Sequence, residues 1–74
     1  MVQEDEVRAR LEAAFPGATV QVVDSTGGGD HFDVEVVAGV FAGKPLLEQH
    51  RMVYAALGDL MARIHALALR TRTP

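Results

Sequence analysis

The feature that most constrains this chain is a long run of regularly spaced apolar residues in its second half. From Pro45 to Arg63, apolar side chains recur every three or four residues, which places them on one side of a helix. Pro45 suits the first helical position because its missing N–H needs no partner there, and Gly43 provides a turn just before it. The predicted buried face comprises Leu46, Leu47, His50, Val53, Tyr54, Leu57, Leu60, Met61 and Ile64.

The other elements supply a surface on which this helix can pack. A helix is predicted over residues 3–14, where acidic residues occupy the first turn. Alternating apolar residues predict strands over 18–24 and 31–38, joined by a glycine-rich loop, and a last strand over 66–71. The order is α-β-β-α-β, or α-β-β-α-α-β if the long helix breaks at Gly58, with Asp59 then capping a second segment.

This order predicts one α+β domain that spans residues 1–74. The first two strands form a hairpin, and the third returns through a helical crossover, so it runs most simply parallel to the second. A three-stranded mixed sheet follows. The content of hydrophobic residues, 49%, is typical of a folded chain of this length.

Two of the three histidines are predicted to lie at one rim of this sheet. His31 opens the second strand and His65 precedes the third, so their backbones should be about 5 Å apart, one strand spacing. Strict pleating would place the two rings on opposite faces, because His31 is out of phase with the buried residues of its strand. Two alternatives therefore remain open: the two histidines converge on a ligand, or one is a solvated loop histidine and the other a helix-terminal histidine that interacts with the last carbonyl groups.

The available ligands limit what such a pair could bind. Two imidazoles cannot complete a four-coordinate metal site, so a tightly held metal would need ligands from a partner. The chain has no cysteine, which excludes a disulfide framework and a thiolate site within it. His50, on the apolar side of the long helix, is interpreted as a histidine at the edge of the core.

Charge and hydropathy restrict the partners. The formal net charge of −3 argues against generic nucleic-acid binding, yet residues 41–74 carry five basic residues against two acidic ones, which leaves a basic face open. No apolar run is long enough to cross a membrane, and the first residues lack the apolar core of a secretory signal. A cytoplasmic protein is expected.

Motifs for catalysis are absent. The segment 39–45 superficially suggests a phosphate loop, but it is one residue short and has Pro45 where a hydroxyl should bind magnesium. The three consecutive glycines at 27–29 lack the helix start of a dinucleotide-binding fingerprint. No paired carboxylates or activated nucleophile are evident, so the chain is not expected to be an enzyme.

Several short segments, in this order and spacing, resemble the BolA family. The resemblance implies a fold similar to the class II KH domain, α-β-β-α-(α)-β, with the helices packed on one face of the sheet. It covers nearly the whole chain. The matching segments are Phe15-Pro16, Asp30-His31-Phe32, Phe41-Ala42-Gly43-Lys44, the run from Gln49 to Tyr54, Ile64-His65-Ala66-Leu67 and Thr71-Arg72-Thr73-Pro74.

The resemblance also implies a function. BolA-like proteins form heterodimers with monothiol glutaredoxins of the CGFS type and share a [2Fe-2S] cluster with the glutaredoxin and glutathione. The family's ligand before the last strand corresponds to His65, and its variable ligand, His or Cys in the loop between the first two strands, corresponds to His31. The implied role is cluster trafficking or iron-status regulation. No cluster is expected in the isolated chain, which should be a monomer or a weak homodimer.

Two alternatives remain. A KH-like regulator would bind DNA or RNA, with Lys44, Arg51 and Arg63 as the candidate basic contacts. A simpler interaction module would bind a partner through its exposed helix, without a cluster.

Overall fold

Two helices and two short 3-10 segments lie on one face of a three-stranded sheet in this computed structural model, which describes residues 1–74. In chain order the elements are α1 (Glu4–Ala14), β1 (Thr19–Asp24), β2 (His31–Val37), a 3-10 turn (Gly39–Phe41), α2 (Leu46–Leu57), a second 3-10 segment (Gly58–Arg63) and β3 (Ala66–Arg72). The predicted α+β order with a broken long helix is confirmed.

The strand order is β1-β2-β3, so β2 is the central strand. β1 and β2 form an antiparallel hairpin in which Val22 lies opposite Val34. β2 and β3 are parallel, with His31 opposite Ala66 and Val37 opposite Arg72. The crossover through α2 therefore brings the start of β3 back to the start of β2, as predicted.

The long helix ends at Gly58, whose φ of +52° no other residue type adopts easily. Its backbone N–H bonds to the carbonyl oxygen of Tyr54 and closes the last turn of α2. The prediction that Asp59 caps the next segment is wrong, because Asp59 instead pairs with Arg10 of α1 at 3.0 Å. Pro45 was predicted to be the first residue of the helix, but it is the N-cap residue, and α2 begins at Leu46.

The core consists of 14 buried apolar residues, contributed by Val2, both helices, β1, β2 and the segments that connect the elements. Half-buried Leu67 and Leu69 of β3 pack against it. Phe41, which the strand and helix patterns left in a loop, is carried into the core by the 3-10 turn, and its ring lies 5.4 Å from that of Phe15. None of the helices is long and apolar enough to cross a membrane.

The predicted buried face of the long apolar stretch, which includes α2 and the second 3-10 segment, is correct in only part of its length. Val53, Leu57, Leu60 and Ile64 are buried, whereas Leu46, Leu47 and Tyr54 are 59%, 63% and 40% exposed. Helical spacing fixes the direction in which a side chain points, but not whether another element lies there. The fold has only two layers, the helices and the sheet, so no element covers the outer side of α2.

Candidate functional site

The backbone at the rim of the sheet is fixed by one carbonyl group. The carbonyl oxygen of Asp30 accepts hydrogen bonds from the backbone N–H groups of both His65, at 2.7 Å, and Ala66, at 3.1 Å. The chain leaving the second 3-10 segment is thus attached to the peptide immediately before β2. His31 and His65 are held next to each other as a result.

The rings of these two histidines converge. Their centroids are 5.0 Å apart, and their planes are nearly parallel, with an angle of 13°. The opposite-face arrangement expected from strict pleating does not occur, because β3 begins only at Ala66 and His65 lies in a bend before it. A residue outside the strand need not follow the alternation of the strand.

Both imidazoles are accessible from solvent. The side chain of His31 is 37% exposed, and His65 is also exposed. The nearest carboxylate belongs to Asp30, whose Oδ2 lies 3.9 Å from Nε2 of His31. The hydroxyl of Thr26 donates to the other oxygen of this carboxylate at 3.3 Å, which orients Asp30 toward the pair.

The glycine-rich loop that leads into His31 is anchored by Asp24. Its carboxylate accepts hydrogen bonds from the backbone N–H groups of Thr26, Gly27 and Gly29 at 3.3, 2.9 and 2.9 Å. The N–H of Asp24 itself donates to the carboxylate of Glu4 at 2.6 Å. Three consecutive glycines alone would leave such a loop many conformations, and the bonds to Asp24 restrict them. An aspartate directly before a Ser-Thr-Gly segment was the available signal for such an Asx turn.

The donor set fits a metal held jointly with another molecule. Two imidazoles on one tetrahedral ion, at metal–nitrogen distances of about 2.1 Å, have ring centres roughly 5 Å apart. His31 and His65 already have this separation. Stacked parallel planes cannot both contain the ion, so one exposed ring must rotate about its Cβ–Cγ bond before both nitrogens face it. No group of three or more metal-binding side chains exists in the chain.

The three predicted nucleic-acid contacts lie at different positions along the crossover. Lys44 lies before α2, Arg51 on its exposed side, and Arg63 at the end of the second 3-10 segment. Arg63 also approaches the carboxylate of Glu6 at 3.8 Å.

Two further features do not belong to this rim. His50 is half-buried in α2, with its ring edge-on to Tyr54 at 6.4 Å, in agreement with its interpretation as a core-edge residue. A cavity of about 240 Å³ opens at the opposite end of the sheet, where α1 ends and β2 leads into the 3-10 turn. Its lining contains no titratable side chain, so it offers no acid–base chemistry.

Comparisons with known proteins agree on one family. The family model described as "BolA-like protein" matches residues 11–74. The chain is 46% identical over 76 residues to "Protein BOLA2" of Arabidopsis thaliana, covering 100% of this chain and 82% of that protein. It is 36% identical over 81 residues to the "DNA-binding transcriptional regulator BolA" of Escherichia coli, covering 99% and 77%.

Solved structures agree with the sequence comparison. A bol-like protein from Babesia bovis superposes with a TM-score of 0.89 at 33% identity, covering 100% of this chain and 87% of that one. Both helices and the mixed sheet of the present structure thus have counterparts in a known domain.

Proposed function

This chain belongs to the BolA family, and from that premise we propose that it is a non-enzymatic partner of CGFS monothiol glutaredoxins. In this proposal it shares a [2Fe-2S] cluster with the glutaredoxin and glutathione through His65 and His31. The observation that carries the proposal is the pair of exposed imidazoles, 5.0 Å apart at one rim of the sheet. The role is delivery of the cluster or signalling of iron status.

The ligands that this chain offers support a partner in this proposal. The chain offers two nitrogen ligands and no thiolate, so the remaining ligands must come from another molecule. Imidazole ligation of an iron–sulfur cluster raises its reduction potential relative to thiolate ligation, as in Rieske centres. The residues of this chain position the two ligands: the carbonyl of Asp30 accepts hydrogen bonds from the N–H groups of His65 and Ala66 and so holds His65 beside His31, and the anchored loop fixes the entry to β2.

The test is to mix the purified chain with a cluster-loaded CGFS glutaredoxin and record visible absorption and circular dichroism. A changed spectrum and a complex on a sizing column are expected. We expect His65→Ala to abolish the spectral change and His31→Ala to weaken it. His50→Ala is the matched control, since this histidine lies in α2 beside Tyr54, and should leave the spectrum of the mixture unchanged.

Two results would contradict the proposal. One is an unchanged spectrum with no complex. The other is a complex that forms equally well with His65→Ala and alters no cluster signal, which would favour an interaction module that binds without a cluster.

A second candidate is DNA binding, favoured by the 36% identity to the E. coli protein named as a DNA-binding regulator. The exposed Arg51 and Lys44 would contact phosphates, and affinity should then fall steeply as the salt concentration rises. Fluorescence anisotropy with labelled duplex DNA at two salt concentrations tests this. Undetectable binding at low salt and micromolar protein would exclude it.

A further inference from the structure

The outer edge of β3 is open along its length. Ala66 donates its N–H to Asp30, and Arg72 accepts from Ala38 through its carbonyl, so the backbone groups of residues 66 and 72 face β2. Because backbone direction alternates along a strand, residues 67, 69 and 71 direct their N–H and C=O groups away from the sheet. No further strand pairs with β3, so these groups form a ready template for another strand.

The opposite edge of the sheet is partly blocked. In β1 the outward-facing N–H of Asp24 donates to the carboxylate of Glu4, which reaches over from α1. No side chain occupies the outward backbone groups of β3 in this way: the hydroxyl of Thr71 bonds to Gln49 of α2 instead. The two edges of the sheet therefore differ, and β3 is the accessible one.

The two faces of β3 have different chemistry. Leu67 and Leu69 lie half-buried on the helix-covered side, where the core stops at the edge of the sheet. On the other side, Arg70 and Arg72 are 67% and 63% exposed. Both arginines approach the single carboxylate of Glu35 on β2, at 3.6 and 3.7 Å, and β3 itself carries no acidic residue, so the charges on the edge strand are all positive.

We propose that the edge of β3 binds an extended segment of a partner protein in which acidic residues alternate with apolar ones. Successive side chains of an added strand point to opposite faces, so acidic residues would lie beside Arg70 and Arg72 and apolar residues beside Leu67 and Leu69. A second copy of this chain fits less well, because its own β3 would bring two more arginines to the same face. This surface follows the strand, whereas the proposed cluster site lies at its start.

The experiment titrates the chain with a short capped peptide of alternating glutamate and valine, and follows amide hydrogen exchange by NMR. The N–H groups of Leu67, Leu69 and Thr71 should exchange quickly in the free chain and become protected in the complex. Those of Ala66, Ala68, Arg70 and Arg72 should already be protected by β2. This alternation identifies strand addition and would not arise from simple ionic association.

Charge variants test the acidic preference. Arg70→Gln combined with Arg72→Gln should weaken binding about tenfold, roughly threefold for each exposed ion pair. The double variant Lys44→Gln with Arg51→Gln makes the same change in net charge away from β3 and should bind normally. A peptide with lysine in place of glutamate should fail to bind.

Three outcomes would overturn the proposal. One is the absence of protection at Leu67, Leu69 and Thr71 at millimolar peptide, and another is equal binding of the lysine peptide. The third is protection of the same amides in concentrated protein without peptide, which would assign the edge to a second copy. All of these readouts are independent of cluster binding.

Discussion

Gly29 is the residue at which the glycine-rich loop passes closest to the N-terminus. A Cβ placed there would lie 2.7 Å from the Cβ of Met1 and 2.8 Å from the carbonyl oxygen of Val2, a residue of the core. Gly27 has nearly the same φ, +77° against +76°, but open space around such a Cβ. The two glycines therefore separate backbone strain from steric clash.

Alanine at these positions should have unequal effects. We expect Gly27→Ala to lower the free energy of unfolding by about 1 kcal/mol, because only the left-handed conformation is penalised. Gly29→Ala should cost roughly 3 kcal/mol, because the first residues must also move away from the core. Urea denaturation measures both. Equal losses would show that the N-terminal contact contributes nothing.

Phe41 and its neighbour Val40 provide a second comparison between adjacent residues. Phe41 is 1% exposed and Val40 is 51% exposed. Phe41→Ala should reduce the free energy of unfolding by about 3 to 4 kcal/mol through the lost transfer free energy and the cavity it leaves. Val40→Ala should change it by less than about 0.5 kcal/mol. Thermal unfolding of the two variants would test this, and similar melting temperatures would contradict the core position of Phe41.

Arg10 joins two helical elements that are far apart in sequence. Its guanidinium donates to the carbonyl oxygen of Leu57, the last residue of α2, and to the carboxylate of Asp59, both at 3.0 Å. The hydrogen bond from Arg10 and its positive charge hold the pKa of Asp59 below its ordinary value of 3.8. The junction between α2 and the second 3-10 segment is thus attached to α1.

This pairing predicts the pH dependence of one carboxyl group. Because folding lowers the pKa of Asp59, its contribution to stability is present above pH 3.8 and is lost as the pH falls through the lowered pKa. In an NMR titration of the side-chain carboxyl carbons, Asp59 should titrate below 3.8. In Arg10→Leu its pKa should rise toward that value.

A matched control lies one half-turn earlier in α1. Arg8 pairs with Asp5 of the same helix at 2.9 Å, so Arg8→Leu removes an exposed ion pair without touching the junction. The titration of Asp59 should be unchanged in this variant. Arg10→Leu should also lower the free energy of unfolding by about 1 kcal/mol through the lost bond to Leu57. An unshifted Asp59 in Arg10→Leu would contradict the assigned cause.

Local sequence signals predicted the elements better than their contacts. Gly58 marked the break in the long helix because its effect is intrinsic to the backbone. The partner of Asp59 could not be predicted, because Arg10 lies 49 residues away and only the packing of α1 against α2 brings it near. Tyr54 was likewise predicted to be buried, but it is exposed because no other element packs against its side of α2.

At the scale of the whole molecule, one core connects every element. The buried residues of both helices, β1 and β2 form a single cluster, with β3 packed against it. We therefore expect one cooperative transition, in which far-ultraviolet circular dichroism and the NMR methyl signals of Val22 and Val34 have the same urea midpoint. Loss of helical signal before the methyl signals would indicate that α1 or α2 unfolds independently.

The topology and the position of both histidines at one rim could be predicted from the sequence, whereas the orientation of their rings could not. The order of elements required β3 to return beside β2, which placed His31 and His65 at one rim. Whether the rings converge depends on whether β3 begins at His65 or one residue later, at Ala66. The two hydrogen bonds that the Asp30 carbonyl accepts fix the start of β3 at Ala66, and no local sequence pattern predicts these bonds.

The parallel pairing of β2 and β3 also determines when the histidine pair can exist during synthesis. His65 follows His31 by 34 residues, and all of α2 lies between them. Parallel strands cannot pair until the intervening crossover has folded, so a chain still emerging from the ribosome has the first imidazole long before the second is in place. The paired arrangement of the two imidazoles is therefore a property of the finished fold, and a chain in which β2 and β3 have not paired would lack it.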